Sequence, residues 1–125
     1  MINYIDRSDH FSRDELKCSF TSKCEMNPKL MEVVERIRTI YGKPIKVSSA
    51  YRHPTHPIEA NKDEPGMHAK GIAMDIVTAG EDAWQLMRII GNEPAIKGLG
   101  VNQRGKWTGR FLHIDVRDEP AIWSY

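Results

Sequence analysis

The sequence predicts a small α+β domain in which helices pack on one side of a mainly antiparallel sheet. Apolar residues recur at helical spacing in two long segments, and short runs rich in β-branched residues lie between and after them. The length of 125 residues and the 40% apolar content fit one globular domain. We therefore expect a single domain that spans residues 1–125.

Three helices are predicted, each from a start signal and the apolar residues that follow it. The second is the most clearly marked, because Asn27 and Pro28 form its start and Gly42 ends it. The first and third each begin with a capping-box pair, and Gly91 ends the third. These pairs are Ser12 with Glu15 and Thr78 with Glu81.

The remaining segments predict strands and one long loop. The strands cover residues 45–50, 71–77, 99–102 and 111–116, and glycine-containing residues 103–109 join the last two. Residues 51–67 contain several prolines, two histidines and a glycine, so they are predicted to form a long irregular loop. Loops of that length inside a compact domain are usually functional.

The charge balance and the first residues exclude several classes of function. The formal net charge is +1, which gives no basic field of the kind that nucleic-acid-binding proteins use. Residues 1–20 are rich in charges and contain no apolar run, so neither a secretory signal nor a membrane span is predicted. We expect a monomer made in the cytoplasm, without nucleic-acid or membrane partners, that reaches any target outside the membrane by another route.

The two cysteines, Cys18 and Cys24, have three interpretations: free thiols, a local disulfide, or half of a metal site. Thiols in the cytosol are usually reduced, which favours free thiols. A zinc ribbon would need a second cysteine pair, and the sequence contains two cysteines in all.

A metal site is predicted from three residues in two separate segments. Asp75 interrupts an apolar strand, where a carboxylate is costly unless it is paired or binds a metal. His68 stands at the end of the long loop, and His113 alternates with apolar residues in the last strand, on the same face as Asp115. If the two strands are neighbours, two imidazoles and one carboxylate converge, which is a common open zinc set. Taken singly, each residue also fits a structural hydrogen bond or ion pair.

Three ordered blocks resemble a known family. Residues 66–75 carry His68, Gly71, Ala73 and Asp75 in the pattern S-x-H-x-x-G-x-A-x-D, and residues 111–117 and 48–52 resemble two further blocks. The chain is similar, from about residue 11 to its end, to the zinc D-alanyl-D-alanine carboxypeptidase-like peptidases. That family includes the vancomycin-resistance D,D-dipeptidases, phage L-alanyl-D-glutamate endolysins and, more distantly, the Hedgehog signalling domain.

The resemblance implies a Hedgehog/D,D-peptidase-like fold, zinc as the cofactor, and the activity of a metallopeptidase. It implies that His68, Asp75 and His113 bind the zinc and that Arg52 binds a carboxylate of the substrate, for which a guanidinium is well suited. The implied substrate is the stem peptide of bacterial cell-wall peptidoglycan, and the enzyme is a hydrolase of carboxypeptidase or endopeptidase type. A phage endolysin or a wall hydrolase carried on a virion would reach the cell wall without a secretory signal.

The chain departs from the family pattern at two places. Gly66 stands where the family usually has serine, and Arg110 and Phe111 stand where many relatives carry an acidic residue or a histidine. The general base is therefore open. Asp115 is the first candidate because it shares a face with His113, and the other interpretation is a structural aspartate or one that supports a metal ligand. The next candidates, on the loop, are Asp63 and Glu64, and His53 and His56 are further candidates for substrate contact.

Two other classes of function are compatible with these residues. The first is a non-enzymatic, zinc-containing binding or virion structural module of the same fold, since the Hedgehog domain acts through binding. The second is a non-haem iron oxygenase, because His113 and Asp115 mimic part of its metal triad. The jelly-roll form of that enzyme needs another histidine downstream, and the sequence has none after His113.

Overall fold

The protein is described by a computed structural model that covers residues 3–125. Within that range there are three α-helices, one short 3-10 helix and five strands. The helices are α1 (Arg13–Leu16), α2 (Pro28–Tyr41) and α3 (Gly80–Gly91), and the 3-10 turn is Trp107–Gly109. The strands are β1 (Lys46–Ser49), β2 (Ala73–Val77), β3 (Gly98–Asn102), β4 (Phe111–Asp115) and β5 (Ala121–Ser124). The predicted α+β class is confirmed.

The five strands form one mixed sheet in the order β1-β2-β4-β3-β5. The pairs β1–β2, β2–β4 and β3–β4 are antiparallel, whereas β3 and β5 are parallel. Strand β5 was not predicted from the sequence, because it is four residues long and only partly buried. Its pairing with β3 is a long-range contact that no local pattern signals.

The start of α3 differs from the sequence prediction, whereas the starts of α1 and α2 agree with it. Ser12 and Glu15 form the predicted capping box, and the Asn27 side chain accepts a hydrogen bond from the Lys29 N–H at 2.8 Å. The predicted Thr78–Glu81 box is wrong, since the N-cap is the next residue, Ala79, and makes no side-chain bond. The Thr78 N–H donates to the carbonyl of Arg110. This bond continues the pairing of β2 with the β4 side by one residue, so Thr78 lies one residue too early to cap the helix.

The hydrophobic core fills the space between the sheet and the two longer helices. On one face of the sheet, β2 and β4 present Met74, Ile76, Leu112 and Ile114, which are almost fully buried. These side chains form one cluster with the apolar residues of α2 and α3. Because side chains alternate along a strand, the residues between them point to the opposite face. That opposite face carries the polar residues of β2 and β4.

Three further sequence expectations can be compared with the structure. Cys18 is buried and Cys24 is half-buried, and both are free thiols, as the interpretation from redox compartment predicted. None of the helices in residues 3–125 has the length and the apolar composition needed to cross a membrane. Residues 50–72, between β1 and β2, form the predicted long loop.

Candidate metal centre

The structure brings the three predicted ligands together. Asp75 in β2 and His113 in β4 are direct cross-strand partners, and His68 reaches them from the end of the long loop. The Asp75 Oδ1 atom lies 2.9 Å from His113 Nδ1 and 3.3 Å from His68 Nε2. One ligand atom from each residue lies within 4.8 Å of the others, and all three side chains are buried. The group could therefore hold one metal ion.

One nitrogen of each imidazole is hydrogen-bonded to the protein, which leaves the other nitrogen available for a metal ion. His68 Nδ1 lies 2.7 Å from the carbonyl oxygen of Ala50, to which it donates a hydrogen bond. His113 Nε2 lies 2.7 Å from the Asp115 Oδ2 atom and donates to it. These bonds leave His68 Nε2 and His113 Nδ1 directed at Asp75. Two nitrogen donors and one carboxylate, with room for a fourth ligand, are what an open zinc site requires.

Without a metal, the side chains of the site favour an ionised Asp75 and a protonated His113. Burial by itself would raise the pKa of Asp75, but the hydrogen bond from His113 and the nearby His68 imidazole outweigh it and lower that pKa to about 2. Burial would lower the pKa of His113, but the bonds to Asp115 and Asp75 raise it. A bound divalent ion would replace the proton on His113 Nδ1, so metal binding releases protons here.

A row of paired residues crosses all five strands at the level of the metal site. Ser49, Asp75, His113, Gly100 and Trp123 are successive neighbours in the register of the sheet. Gly100 leaves space for the Trp123 indole, since a Cβ atom at Gly100 would lie 2.6 Å from the indole Nε1. The Trp123 ring centroid is 5.0 Å from that of His113. Trp123 therefore covers one side of the metal centre.

Asp115 is placed behind His113 by a second glycine. Its carboxylate is fully buried and accepts hydrogen bonds from His113 Nε2 and from the Arg117 side chain at 2.6 and 2.8 Å. A Cβ atom at Gly98, the residue paired with Asp115 in β3, would lie 2.0 Å from its Oδ1 atom. The sequence reasoning missed Gly98 and Arg117, although two glycines in one strand often mark the close approach of another group.

Replacing Gly98 with alanine should displace the Asp115 carboxylate, because the new methyl group and that carboxylate cannot occupy the same space. We expect the free energy of unfolding to fall by about 2–3 kcal/mol, as in other overpacked interiors, and zinc affinity to fall with it. Urea unfolding and zinc titration measure the two effects. Gly91→Ala is the matched control, since no atom lies within 4 Å of its new Cβ. Unchanged stability and zinc affinity in Gly98→Ala would contradict this account of β3.

The long loop places Arg52 beside the metal centre. One guanidinium nitrogen, Nη2, lies 3.9 Å from Asp75 Oδ2, and the other, Nη1, lies 3.6 Å from Glu59 Oε2. Glu59 is buried and was missed by the sequence reasoning, because nothing in its local sequence distinguishes it from a solvated loop residue. In the part of the chain that the structure describes, no hydrogen bond or ion pair joins the side chains of the remaining loop candidates to the metal ligands. Asp63 and Glu64 are exposed, and the Nδ1 atoms of His53 and His56 bond within the loop itself.

Acid should destabilise the metal-free protein through Asp75. Its folded pKa of about 2 lies below the ordinary value of 3.8, so the ionised carboxylate stabilises the fold above pH 4, and this contribution is lost as the pH falls toward 2. His113, whose pKa is raised, stays protonated throughout this window. We expect Asp75 to account for roughly 2 kcal/mol of the loss. Urea unfolding of chelator-treated protein at pH 5 and pH 2.5 measures it, and Asp75→Asn should lose correspondingly less.

Comparison with known protein families agrees with the geometry. A family model described as Peptidase M15 matches residues 9–115. This range includes all three blocks of the resemblance except residues 116 and 117, the end of the block at 111–117. No curated protein matches the chain. Peptidases of this family depend on zinc, and the buried His68, Asp75 and His113 group is a fitting place for such an ion. Since the match covers most of the chain and the whole candidate metal centre, the chain belongs to the peptidase M15 family, the zinc D-alanyl-D-alanine carboxypeptidase-like peptidases.

Proposed function

We propose that this metallopeptidase hydrolyses peptide bonds in the stem peptides of bacterial peptidoglycan, as a carboxypeptidase or an endopeptidase. His68 Nε2, one oxygen of Asp75 and His113 Nδ1 would hold the zinc ion. The observation that carries the proposal is the convergence of these three ligand atoms within 4.8 Å, each imidazole being fixed by a bond from its other nitrogen. We also propose the Hedgehog/D,D-peptidase-like fold, which is supported by the position of the metal centre on the face of the sheet opposite the core that α2 and α3 form.

Zinc, when bound, would lower the pKa of a water ligand to about 7 and polarise the scissile carbonyl group. Arg52 binds a carboxylate of the substrate next to that carbonyl. Its side chain is partly exposed, and beside it lies a cleft of about 210 Å³ whose lining includes Ser49, His56 and Ile58. The cleft adjoins the metal centre through Ser49, which is the cross-strand partner of Asp75. A peptide in the cleft would place an acidic group against Arg52, because a guanidinium recognises a carboxylate through two parallel hydrogen bonds.

The proposed role of Asp115 is to orient His113. The assignment of Asp115 as general base stays a prediction, but the environment of its carboxylate supports the other role. Its side chain is fully buried, and both oxygens are already hydrogen-bonded to His113 or Arg117. A residue that accepts the His113 Nε2–H keeps Nδ1 free for the metal and holds the ring in place.

Incubation of the zinc-loaded protein with purified peptidoglycan and defined stem peptides tests the proposal. New amino groups and product masses would identify the bond that is cleaved, and Asp75→Ala is the inactive control. We further propose that the protein acts as a monomer on the cell wall, either as a phage endolysin or as a virion-associated hydrolase. A zinc-loaded protein that leaves every peptide intact would refute the hydrolase proposal.

One observation favours the alternative of a non-enzymatic zinc-containing module. Arg110 donates to the carbonyl of Gly105, and the Phe111 ring packs 5.0 Å from that of Tyr125. Neither position offers the carboxylate or imidazole that many relatives carry there. Peptide binding without new amino groups, in protein that contains one zinc per chain, would support this alternative.

A further inference from the structure

Glu59 is a buried carboxylate on the long loop that the chemistry described above does not use. Its side chain is 1% exposed. The Oε1 atom accepts a hydrogen bond from the Gly66 N–H at 3.0 Å, and the Oε2 atom accepts one from Lys62 Nζ at 2.8 Å. Such a carboxylate is retained in a protein interior only when it is paired and hydrogen-bonded, and Glu59 has both kinds of partner.

The Oε2 atom, besides accepting from Lys62, also faces Arg52. Glu59 Oε2 and Asp75 Oδ2 lie on two sides of the guanidinium, at 3.6 and 3.9 Å from its nitrogens. Within residues 3–125 the Arg52 side chain makes ion pairs but no hydrogen bond of ordinary length, so its donors remain free for a ligand. The two carboxylates therefore hold the guanidinium by charge without occupying the N–H groups that would bind a substrate.

Gly66 connects this arrangement to the departure from the family pattern. A Cβ atom at Gly66 would lie 2.9 Å from both Glu59 Oε1 and Lys62 Nζ. The Glu59 carboxylate thus occupies the space into which the family serine would project. Since both neighbours are ends of flexible side chains, serine at this position would move them rather than unfold the loop.

The negative charge of Glu59 offsets the repulsion between Arg52 and a bound metal ion. A guanidinium next to a divalent metal ion is repelled, and the charge of Asp75 is already needed by the metal. Burial would raise the pKa of Glu59, but hydrogen bonds from Lys62 and the Gly66 N–H, with the charges of Lys62 and Arg52, lower it. Glu59 therefore supplies a lasting negative charge on the side of Arg52 away from the metal ligands.

We propose that Glu59 is a positioning residue that holds Arg52 at the edge of the metal centre, aligned to receive a carboxylate of the peptide substrate. This inference rests on the proposed function, because it assumes that Arg52 binds an acidic group of a peptide. It goes beyond that function by assigning the alignment of Arg52 to Glu59. It also explains glycine at position 66, where the Glu59 carboxylate fills the space of a larger side chain.

The test compares wild type with Glu59→Gln, an isosteric change that removes the charge. The probes are the stem pentapeptide L-Ala-γ-D-Glu-L-Lys-D-Ala-D-Ala and two analogues, each with one carboxylate amidated, either at the C-terminus or at D-Glu. For the pentapeptide we expect KM to rise about tenfold with kcat nearly unchanged, the size of effect typical of a weakened charged contact. The amide lacking the recognised carboxylate should show no such rise. Zinc content should stay at one per chain, and Glu81→Gln, an exposed carboxylate on α3, should behave as wild type.

A double-mutant cycle separates positioning of Arg52 from general stabilisation of the loop. In an Arg52→Ala background, Glu59→Gln should leave KM unchanged, because the group it aligns is absent. Gly66→Ser should reproduce the rise in KM while the thermal midpoint stays close to that of wild type. An unchanged KM for Glu59→Gln, an equal rise on all three peptides, or an additive effect in the Arg52→Ala background would overturn the proposal.

The outcomes also separate this proposal from the proposed function. If the wild-type protein binds the pentapeptide without cleaving it, Kd from calorimetry replaces KM, and a tenfold weaker Kd in Glu59→Gln supports the positioning role although the hydrolase proposal fails. If wild type cleaves the peptide and Glu59→Gln leaves KM unchanged, the positioning role alone fails. A wild-type protein that neither cleaves nor binds the pentapeptide would overturn both.

Discussion

Asp75→Asn is expected to abolish both metal binding and catalysis. The amide is neutral and a poor zinc ligand, so the ion would be left with two imidazoles and without the charge that attracts it. After dialysis we expect zinc to fall from one ion per chain to under about a tenth of that, and peptide hydrolysis to fall at least about a thousandfold. Elemental analysis and initial rates on the stem pentapeptide measure the two quantities.

The matched control for this change is Asp14→Asn, at a carboxylate on α1 that is 88% exposed. It should keep full zinc content and full activity, since surface carboxylates of this kind contribute little. Retention of one zinc per chain in Asp75→Asn would remove Asp75 from the ligand set, and the geometric assignment of the centre with it.

Asp115→Asn is expected to weaken zinc binding without removing the ability to catalyse. The amide can present its N–H₂ group to His113 Nε2, which would then have to accept and would leave the proton on Nδ1, the atom that faces the metal. Loss of a residue that hydrogen-bonds to a metal-binding histidine typically lowers metal affinity 10- to 100-fold, about 1.4 to 2.7 kcal/mol. Competition with a zinc chelator measures the affinity, and activity should return at saturating zinc.

The two roles considered for Asp115 give opposite results in this experiment. If Asp115 were the general base, zinc affinity would be unchanged and kcat would collapse even at saturating zinc. Asp118→Asn, at an exposed carboxylate in the following turn, is the control for a simple change of charge near β4. A kcat at saturating zinc within about threefold of wild type would assign Asp115 to the orientation of His113.

The sequence predicted the three candidate ligands in two ways, from a local chemical signature and from the resemblance to a known family, and the structure brings their side chains together. A carboxylate in the middle of an apolar strand and a histidine alternating with buried residues are unusual enough to predict a metal site. The α2 start at Asn27 and its end at Gly42 were likewise predictable, since caps depend on a few neighbouring backbone groups. The α+β class and the long loop were also predictable, because apolar spacing and the content of proline and glycine are local properties of the sequence.

Only the tertiary structure decided which nitrogen of each histidine faces the metal, and what surrounds the ligands. Asp115 is paired behind His113 because β3 contributes Gly98 from the neighbouring strand, and Glu59 is buried because the loop folds back toward Arg52. The parallel pairing of β5 and the hydrogen bond from the Thr78 N–H to the Arg110 carbonyl also depend on distant partners. Local patterns report the preferences of neighbouring residues. Hydrogen bonds and burial between segments far apart in the chain exist only after folding. They therefore determine the orientation of the ligands and their surroundings, which local patterns do not reveal.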